Sequence, residues 1–278
     1  MAQHKRTLYI SDLDGTLLNE QSAISRYTAQ TLNSLIDNGM LFTIATARTP
    51  ATVVKLMEKV NLQLPAILMT GALVYDLARN KYLSVSSFDP ATSTRIINCT
   101  SSCGISPMIY YIDNSVLHVA YNTPIDHRQQ LFMQERMGTP YKQYVEVKGE
   151  MSVPANTVMI FFMGQYDKLQ QIHNLILPIA GHRSYLYYDT LEPQQGYLEI
   201  YPEGTSKAQA ITQLAQQLGA DEIVAFGDNL NDIPMFVVAQ RSYAPCNAIE
   251  TVKHHASRII DGNYNDGVAH FLQQDFKH

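Results

Sequence analysis

Two carboxylates, Asp12 and Asp14, stand two residues apart in YISDLDGTLLN (residues 9–19), where a hydrophobic run stops. Turns after strands often carry aspartate, so DLDG by itself reads either as a corner or as a reactive pair. Three further segments hold possible partners: Thr46 and Arg48 in IATAR, Lys207 in TSKAQAI, and Asp228, Asn231 and Asp232 in GDNLND. Carboxylates, a hydroxyl and a lysine brought together suit phosphoryl transfer. A hard divalent cation such as Mg²⁺ takes oxygen ligands at about 2.0–2.1 Å and keeps waters for substrate oxygens; Asp12 and Asp228 are candidate ligands. Asp12 is also a candidate nucleophile, because carboxylates form aspartyl-phosphates. Asp14 falls toward the leaving group, where it would protonate the departing oxygen and then activate water. Lys207 would neutralise phosphoryl charge, and Thr46 with nearby backbone N–H groups would donate hydrogen bonds.

These residues meet only if the fold carries them to one edge, and the hydrophobic pattern predicts that it does. TLYIS (7–11), MLFTIAT (40–46) and AILMT (66–70) read as strands. Between them lie two helices, one running from the N-cap candidate Ser25 to the stop at Gly39, the other starting at Thr49-Pro50 and reaching about Val60. Such alternation with short links predicts a parallel sheet with right-handed crossovers. After YLEIYPEG the same texture returns: a helix capped by Ser206 and ended by Gly219, the strand EIVAFGD, the helical NDIPMFVVA, the short strand RSYAP and a last helix over 267–274. Ligands of an open parallel sheet bind beyond the carboxyl ends of its strands. Asp12 and Asp14 follow the first strand, Thr46 and Arg48 the second, Thr70 and Gly71 the third, and Asp228 to Asp232 the fourth. Lys207, in the first turn of a helix, opposes the macrodipole and therefore calls for a compensating anion. Arg48 is suited either to substrate or to a neighbouring carboxylate.

Between Leu83 and Asp189 the texture changes. Strand-like MIYYI, VLHVAY, TVMIFFM and SYLYY mix irregularly with helices over 126–136 and 167–177, rich in Tyr, Met and Phe. The expected architecture is therefore α/β: a Rossmann-like core with a parallel sheet from residues 1–82 and 190–278, interrupted by an inserted α+β domain over 83–189.

The four segments together resemble the motif signature of the haloacid dehalogenase (HAD) superfamily, in matching order and spacing. The insertion is similar to the C2-type cap of its Cof-like sugar-phosphatase subfamily, and CNAIETVKHHA and NYNDGVA resemble that subfamily's closing segments. The resemblance covers essentially the whole chain. It implies Asp12 as nucleophile, Asp14 as acid/base, and Mg²⁺ held by Asp12, the Asp14 backbone carbonyl and Asp228. It further implies phosphate binding by Thr46 and Lys207, substrate contacts at Arg48 and Gly71, support from Asn231 and Asp232, and a cap that selects the substrate. Two positions depart from the pattern: Ala47 stands where Gly is usual, and Thr70 where Asn is typical.

The expected activity is a Mg²⁺-dependent phosphatase acting on small phosphorylated metabolites, sugar phosphates foremost. A phosphomutase would use the same nucleophile, and a non-catalytic phosphometabolite-binding protein could keep the scaffold, although a mere binder has no use for Asp14. The totals agree with such an enzyme. The chain has 278 residues, 46% hydrophobic and 16% charged, with net charge -5 and no basic stripe for nucleic acid. No apolar run approaches the roughly 20 residues of a membrane span, and MAQHKRTLYISDLD lacks the apolar core of a signal peptide. Three cysteines form no disulfide framework, and the nine histidines show no zinc spacing, so a cytoplasmic location is expected. No pattern in the string encodes an oligomeric state.

Overall fold

The computed structural model describes residues 5–123, 127–189 and 192–276. Two compact units share the chain: Met1–Ser84 with Ser206–His278, and Val85–Thr205.

The first unit opens with β1 (Thr7–Ser11), α1 (Arg26–Asp37), β2 (Leu41–Ile44), α2 (Pro50–Leu56) and β3 (Ala66–Leu68), then β4 (Leu73–Asp76) and β5 (Lys81–Val85). The inserted unit follows with α3 (Pro90–Thr100), β6 (Met108–Asp113), β7 (Val116–Asn122), α4 (His127–Gln134), β8 (Lys142–Val147), β9 (Thr157–Gln165), α5 (Tyr166–Ile176), β10 (His182–Tyr188) and β11 (Gln195–Pro202). The chain then returns with α6 (Lys207–Leu218), β12 (Glu222–Phe226), α7 (Ile233–Val238), β13 (Arg241–Pro245), α8 (Glu250–His255), β14 (Arg258–Ile260) and α9 (Gly267–Asp275).

The core sheet runs β14-β13-β12-β1-β2, all parallel. Strands β1, β2, β12 and β13 are buried along most of their length, as in a sheet covered on both faces; Leu8, Ile10, Ala225 and Ala244 pack with Ile211, Leu214 and Val252 in one buried cluster. Register then sets the functional edge: Ser11 is level with Phe226 on one side and Ile44 on the other. Whatever follows those three residues leaves the sheet side by side. The third predicted strand is a looser member, joined to β2 only through the Ala45–Ile67 bridge and otherwise pairing antiparallel with β4. Ser25 and Ser206 cap their helices as expected, accepting from the N–H groups of Thr28 and Gln209. Pro50 takes the first helical position, but Thr49 makes no side-chain cap, and α2 ends at Leu56 rather than near Val60.

In the inserted unit the sheet order is β10-β11-β9-β6-β7-β8. α3 and α5 cover one face, packing Ile96, Leu169 and Ile172 on Ile109, Ile160, Phe162 and Leu198. On the other face Phe132 of α4 stacks on Phe161 with ring centroids 5.5 Å apart.

The insertion departs from expectation in three places. The core was expected to resume at residue 190, which lies outside the described residues; the strand beyond it, β11, is still part of the insertion. YLEIYP alternates like a core strand, yet β11 pairs antiparallel with both β9 and β10, so the boundary falls at Ser206. β8, not anticipated as a strand, runs parallel to β7, with α4 as the crossover between them. Of the helix expected over 126–136, residue 126 also lies outside the described residues, and α4 occupies His127–Gln134.

Candidate active site

Asp12 leaves β1 with its N–H bonded to the Phe226 carbonyl, which fixes the first carboxylate against the end of β12. Thr46, one residue past the end of the β2–β3 bridge, donates its N–H to Ile67 and accepts from the N–H of Thr70. Strand ends thus hold Asp12, Thr46, Thr70 and Asp228 along one edge of the core.

Lys207 provides the link between them. Its side chain is fully buried, and Nζ donates to Asp12 Oδ1 at 2.5 Å and to Asp232 Oδ1 at 2.7 Å. Asp232 Oδ2 in turn accepts from the N–H groups of Asp228 and Asn229, so this carboxylate orders the loop after β12 as well as the lysine. Burial would pull the Lys207 ammonium down, but the two carboxylates reverse that and hold it above its ordinary value. Burial pushes Asp12 well up, with Lys207 opposing and the Asp232 and Asp228 charges adding to it. Asp228 is pushed up to about 6, first by burial and then by Asp232, while Thr16 Oγ1 donates to its Oδ1 at 3.0 Å.

Oxygens of Asp12, Asp228 and Asp232 lie within 4.8 Å of one another. One lysine does not neutralise three carboxylates, and repulsion among them adds to the burial that raises Asp12 and Asp228. An all-oxygen donor set with surplus negative charge fits a hard divalent cation. Gly15 fits the same purpose: its φ is +72°, and a Cβ there would stand 2.2 Å from Asp228 Oδ2. Only glycine lets the DLDG turn approach that carboxylate so closely.

The Asp14 side chain is not part of this cluster. Both its oxygens are taken by Arg48, Nε to Oδ2 at 2.7 Å and Nη2 to Oδ1 at 2.6 Å, a bidentate pair that raises the Arg48 guanidinium through its hydrogen bonds to Asp14. Asn231 is half-buried in the turn Leu230–Asp232. Gly71 has a packing reason for its identity: φ is +98°, and a Cβ would meet the Ser206 carbonyl at 2.3 Å. It therefore lets the end of β3 close on the start of α6, where Lys207 begins.

Of the two departures from the family pattern, Ala47 is not among the residues with positive φ, so the methyl costs nothing there. Thr70 differs. It has φ +56°, a left-handed conformation that Asn tolerates and a β-branched residue resists. Its hydroxyl is buried without a partner. Such strain beside a reactive edge is characteristic of functional sites. Two supporting residues received no role from the sequence. Asn247 donates to the Gly15 carbonyl at 2.8 Å and accepts from the Asn263 N–H, and Asp266 accepts from Ser25 and Thr28, tying α9 to α1. Their signal was present in CNAIE and NYNDG, but spacing alone gave no contact.

A family model described as haloacid dehalogenase-like hydrolase matches residues 9–272. The chain is 28% identical to the 5-amino-6-(5-phospho-D-ribitylamino)uracil phosphatase YwtE of Bacillus subtilis, over 95% of this chain and 96% of that protein. It is 25% identical to the pyridoxal phosphate phosphatase YbhA of Escherichia coli, over 94% and 95%. It also aligns with the chloroplastic endoribonuclease YBEY of Arabidopsis thaliana at 26% identity, but spans only 44% of that protein's length. Among solved structures, the HAD subclass IIB sugar phosphatase BT4131 superposes with a TM-score of 0.75 at 19% identity, over 96% of this chain and 98% of that one. No helix among the described residues is long and apolar enough to cross a membrane.

Proposed function

This chain belongs to the haloacid dehalogenase-like hydrolases and is a phosphatase of that family; we propose that it is Mg²⁺-dependent and hydrolyses small phosphorylated metabolites, sugar phosphates foremost, through a phosphoryl group carried on Asp12. The observation that carries this reading is the buried Asp12–Lys207–Asp232 chain beside Asp228 at the carboxyl edge of the sheet.

Lys207 grips Asp12 Oδ1 and leaves Oδ2 as the attacking oxygen. That oxygen forms a bond to phosphorus as the ester P–O bond breaks, and Asp14 gives its proton to the departing oxygen. Asp14, now a carboxylate, takes a proton from water as the water attacks phosphorus, and the P–O bond to Asp12 breaks to release phosphate. Thr46 and Lys207 hold the phosphoryl oxygens throughout. A divalent cation bound by Asp12, Asp228 and the Asp14 carbonyl would supply the remaining positive charge. The inserted unit is assigned the choice of leaving group, because the fold sets reaction class while variable side chains set identity. Named relatives acting on ribityl, pyridoxal and sugar phosphates support a small phosphorylated substrate.

The test is hydrolysis of 4-nitrophenyl phosphate with and without chelator, alongside a screen of phosphorylated metabolites. Chelation and Asp12→Asn should each abolish turnover, and Asp12→Asn should abolish phosphoenzyme formation. Asp14→Asn should slow poor leaving groups more than good ones. Full activity in Asp12→Asn would overturn the mechanism.

A further inference from the structure

Lys142 and Tyr144 stand two residues apart on β8 and therefore share one face of the inserted sheet. In register with them lie Leu117 and Val119 of β7, both fully buried, and beyond Val119 comes Tyr110 of β6. Lys142 is buried on this apolar floor, with its Nζ 5.2 Å from the centre of the Tyr144 ring. No carboxylate acts on it; burial and the nearby Arg136 charge pull it down to about 8. The Tyr144 hydroxyl is buried as well and makes no hydrogen bond among the described residues. Arg136 bears on Lys142, Tyr144 and Tyr110 alike, so its guanidinium faces this cluster, whereas Glu199 bears on Tyr110 alone of the three. Only Nη1 of Arg136 is engaged, by the Phe132 carbonyl and the Glu135 carboxylate, which leaves its Nε–Nη2 edge free among the described residues. The fold thus brings together two cations and an unpartnered phenol, and supplies Lys142 with no anion.

We propose that Lys142 is a carbon dioxide acceptor: its amine forms a carbamate, held by the free edge of Arg136 and by the Tyr144 hydroxyl. The free amine attacks the carbon of CO₂. An N–C bond forms as one C–O π pair moves onto oxygen, and a proton passes from nitrogen to water. The product exchanges an unpaired buried cation for an anion beside a guanidinium. A carbamate is planar and offers two oxygens, which suits the bidentate fork of arginine, and it gives the Tyr144 O–H an acceptor. Burial favours this product over a bound inorganic anion for two reasons. An ion must shed its water to enter an apolar place, whereas CO₂ is neutral and bears no such cost. The same burial keeps a share of the amine unprotonated near neutral pH, which nucleophilic attack requires and anion pairing opposes. Nothing in this chemistry depends on phosphatase activity.

The experiment equilibrates the full-length protein with ¹³C-bicarbonate at about pH 8, where half of Lys142 is free base, and reads the carbamate by ¹³C NMR. Triethyloxonium then esterifies the carbamate, and peptide mass spectrometry locates it. The α-amine also takes up CO₂ and serves as the internal reference. One carbamate beyond the α-amine is expected, found on the Lys142 peptide and absent from Lys142→Met. Tyr144→Phe and Arg136→Gln should each lower its occupancy about tenfold, with the α-amine signal unchanged. Bicarbonate should raise the Tm of the wild type and not that of Lys142→Met, whereas chloride at equal ionic strength should raise neither. No adduct at Lys142, or one no stronger than on exposed lysines, overturns the proposal. So does a chloride effect equal to that of bicarbonate, which would make the place an anion site. An adduct unaltered in both Tyr144→Phe and Arg136→Gln overturns the cradle assigned to it.

Discussion

Lys207 in α6 and Lys142 in β8 are both buried, 0% and 4% exposed, yet the chain treats them in opposite ways. Lys207 sits between two carboxylates at 2.5 and 2.7 Å and is held above its ordinary value. Lys142 has no carboxylate within ion-pair reach among the described residues; its Nζ lies 5.2 Å from the centre of the Tyr144 ring, and burial, with Arg136 adding, pulls it down to about 8. Burying a charge is costly in both places. At the core edge the cost is offset by the two carboxylates that hold its ammonium. In the insertion only a ring face and the aliphatic stem offset it. A buried lysine therefore marks a candidate site when its counter-charges are also organised by the backbone, as Asp232 is by the N–H groups of Asp228 and Asn229.

The largest effect that separates the two is expected from Lys207→Met. It leaves Asp12 and Asp232 buried without their cation, and should cost about 3–5 kcal/mol in urea unfolding of the metal-free protein. Turnover should fall on the order of 10²–10³-fold. Asp232→Asn comes next. Both oxygens of this carboxylate accept, so an amide NH₂ must face either Lys207 or two N–H donors. A loss of about 1–3 kcal/mol is expected by the same unfolding assay, with turnover reduced by roughly tenfold.

Metal provides a sharper version of the same contrast. Because Asp228 is raised to about 6 from 3.8, the folded protein binds more protons than the unfolded chain between those values. Stability without metal should therefore fall as pH rises through that window. Mg²⁺ should raise Tm above about pH 6 and lose that effect as Asp228 protonates, which thermal melts across pH with and without Mg²⁺ would check.

The smallest effect is expected from Lys142→Met, which should leave turnover within about twofold and stability unchanged or improved. The two lysines should also titrate with opposite sign. Lys142, lowered to about 8 from 10.5, penalises the fold below that range and ceases to do so as pH rises through it. Wild type should gain on Lys142→Met between pH 8 and 10.5 in unfolding titrations. The contribution of Lys207, raised above 10.5, is complete below that value and disappears only at higher pH. A Lys142→Met variant that lost activity would dissolve the distinction.

Sequence patterns marked the candidate site better than the insertion, for a physical reason. Asp12, Thr46, Lys207 and Asp228 follow apolar strands or open a capped helix, and both features leave a mark in the string. The position of β11 leaves none: YLEIYP alternates as any half-buried strand would, and only its pairing with β9 and β10 assigns it to the insertion. β8 was obscured because KQYVEV is short and polar, with its cation turned inward. Within the site, three details depended on tertiary contact alone. They are the bidentate hold of Arg48 on Asp14, the left-handed backbone of Thr70, and the closeness of Gly15 to Asp228. Types and spacing give the members of the site, whereas its bonds require the fold.

The interior position of β1, between β2 and β12, has a consequence in time. Its neighbour β12 pairs Glu222 with Thr7, 215 residues further along the chain. At about 5–20 residues per second, a ribosome needs roughly 10–40 seconds to make that distance. During that interval one side of β1 has no partner, and an apolar strand with an open side is a template for wrong pairing. Asp12 at its end likewise waits for Lys207. The nascent chain therefore cannot close its core until β12 emerges, which makes synthesis rather than the finished fold its period of greatest exposure to aggregation.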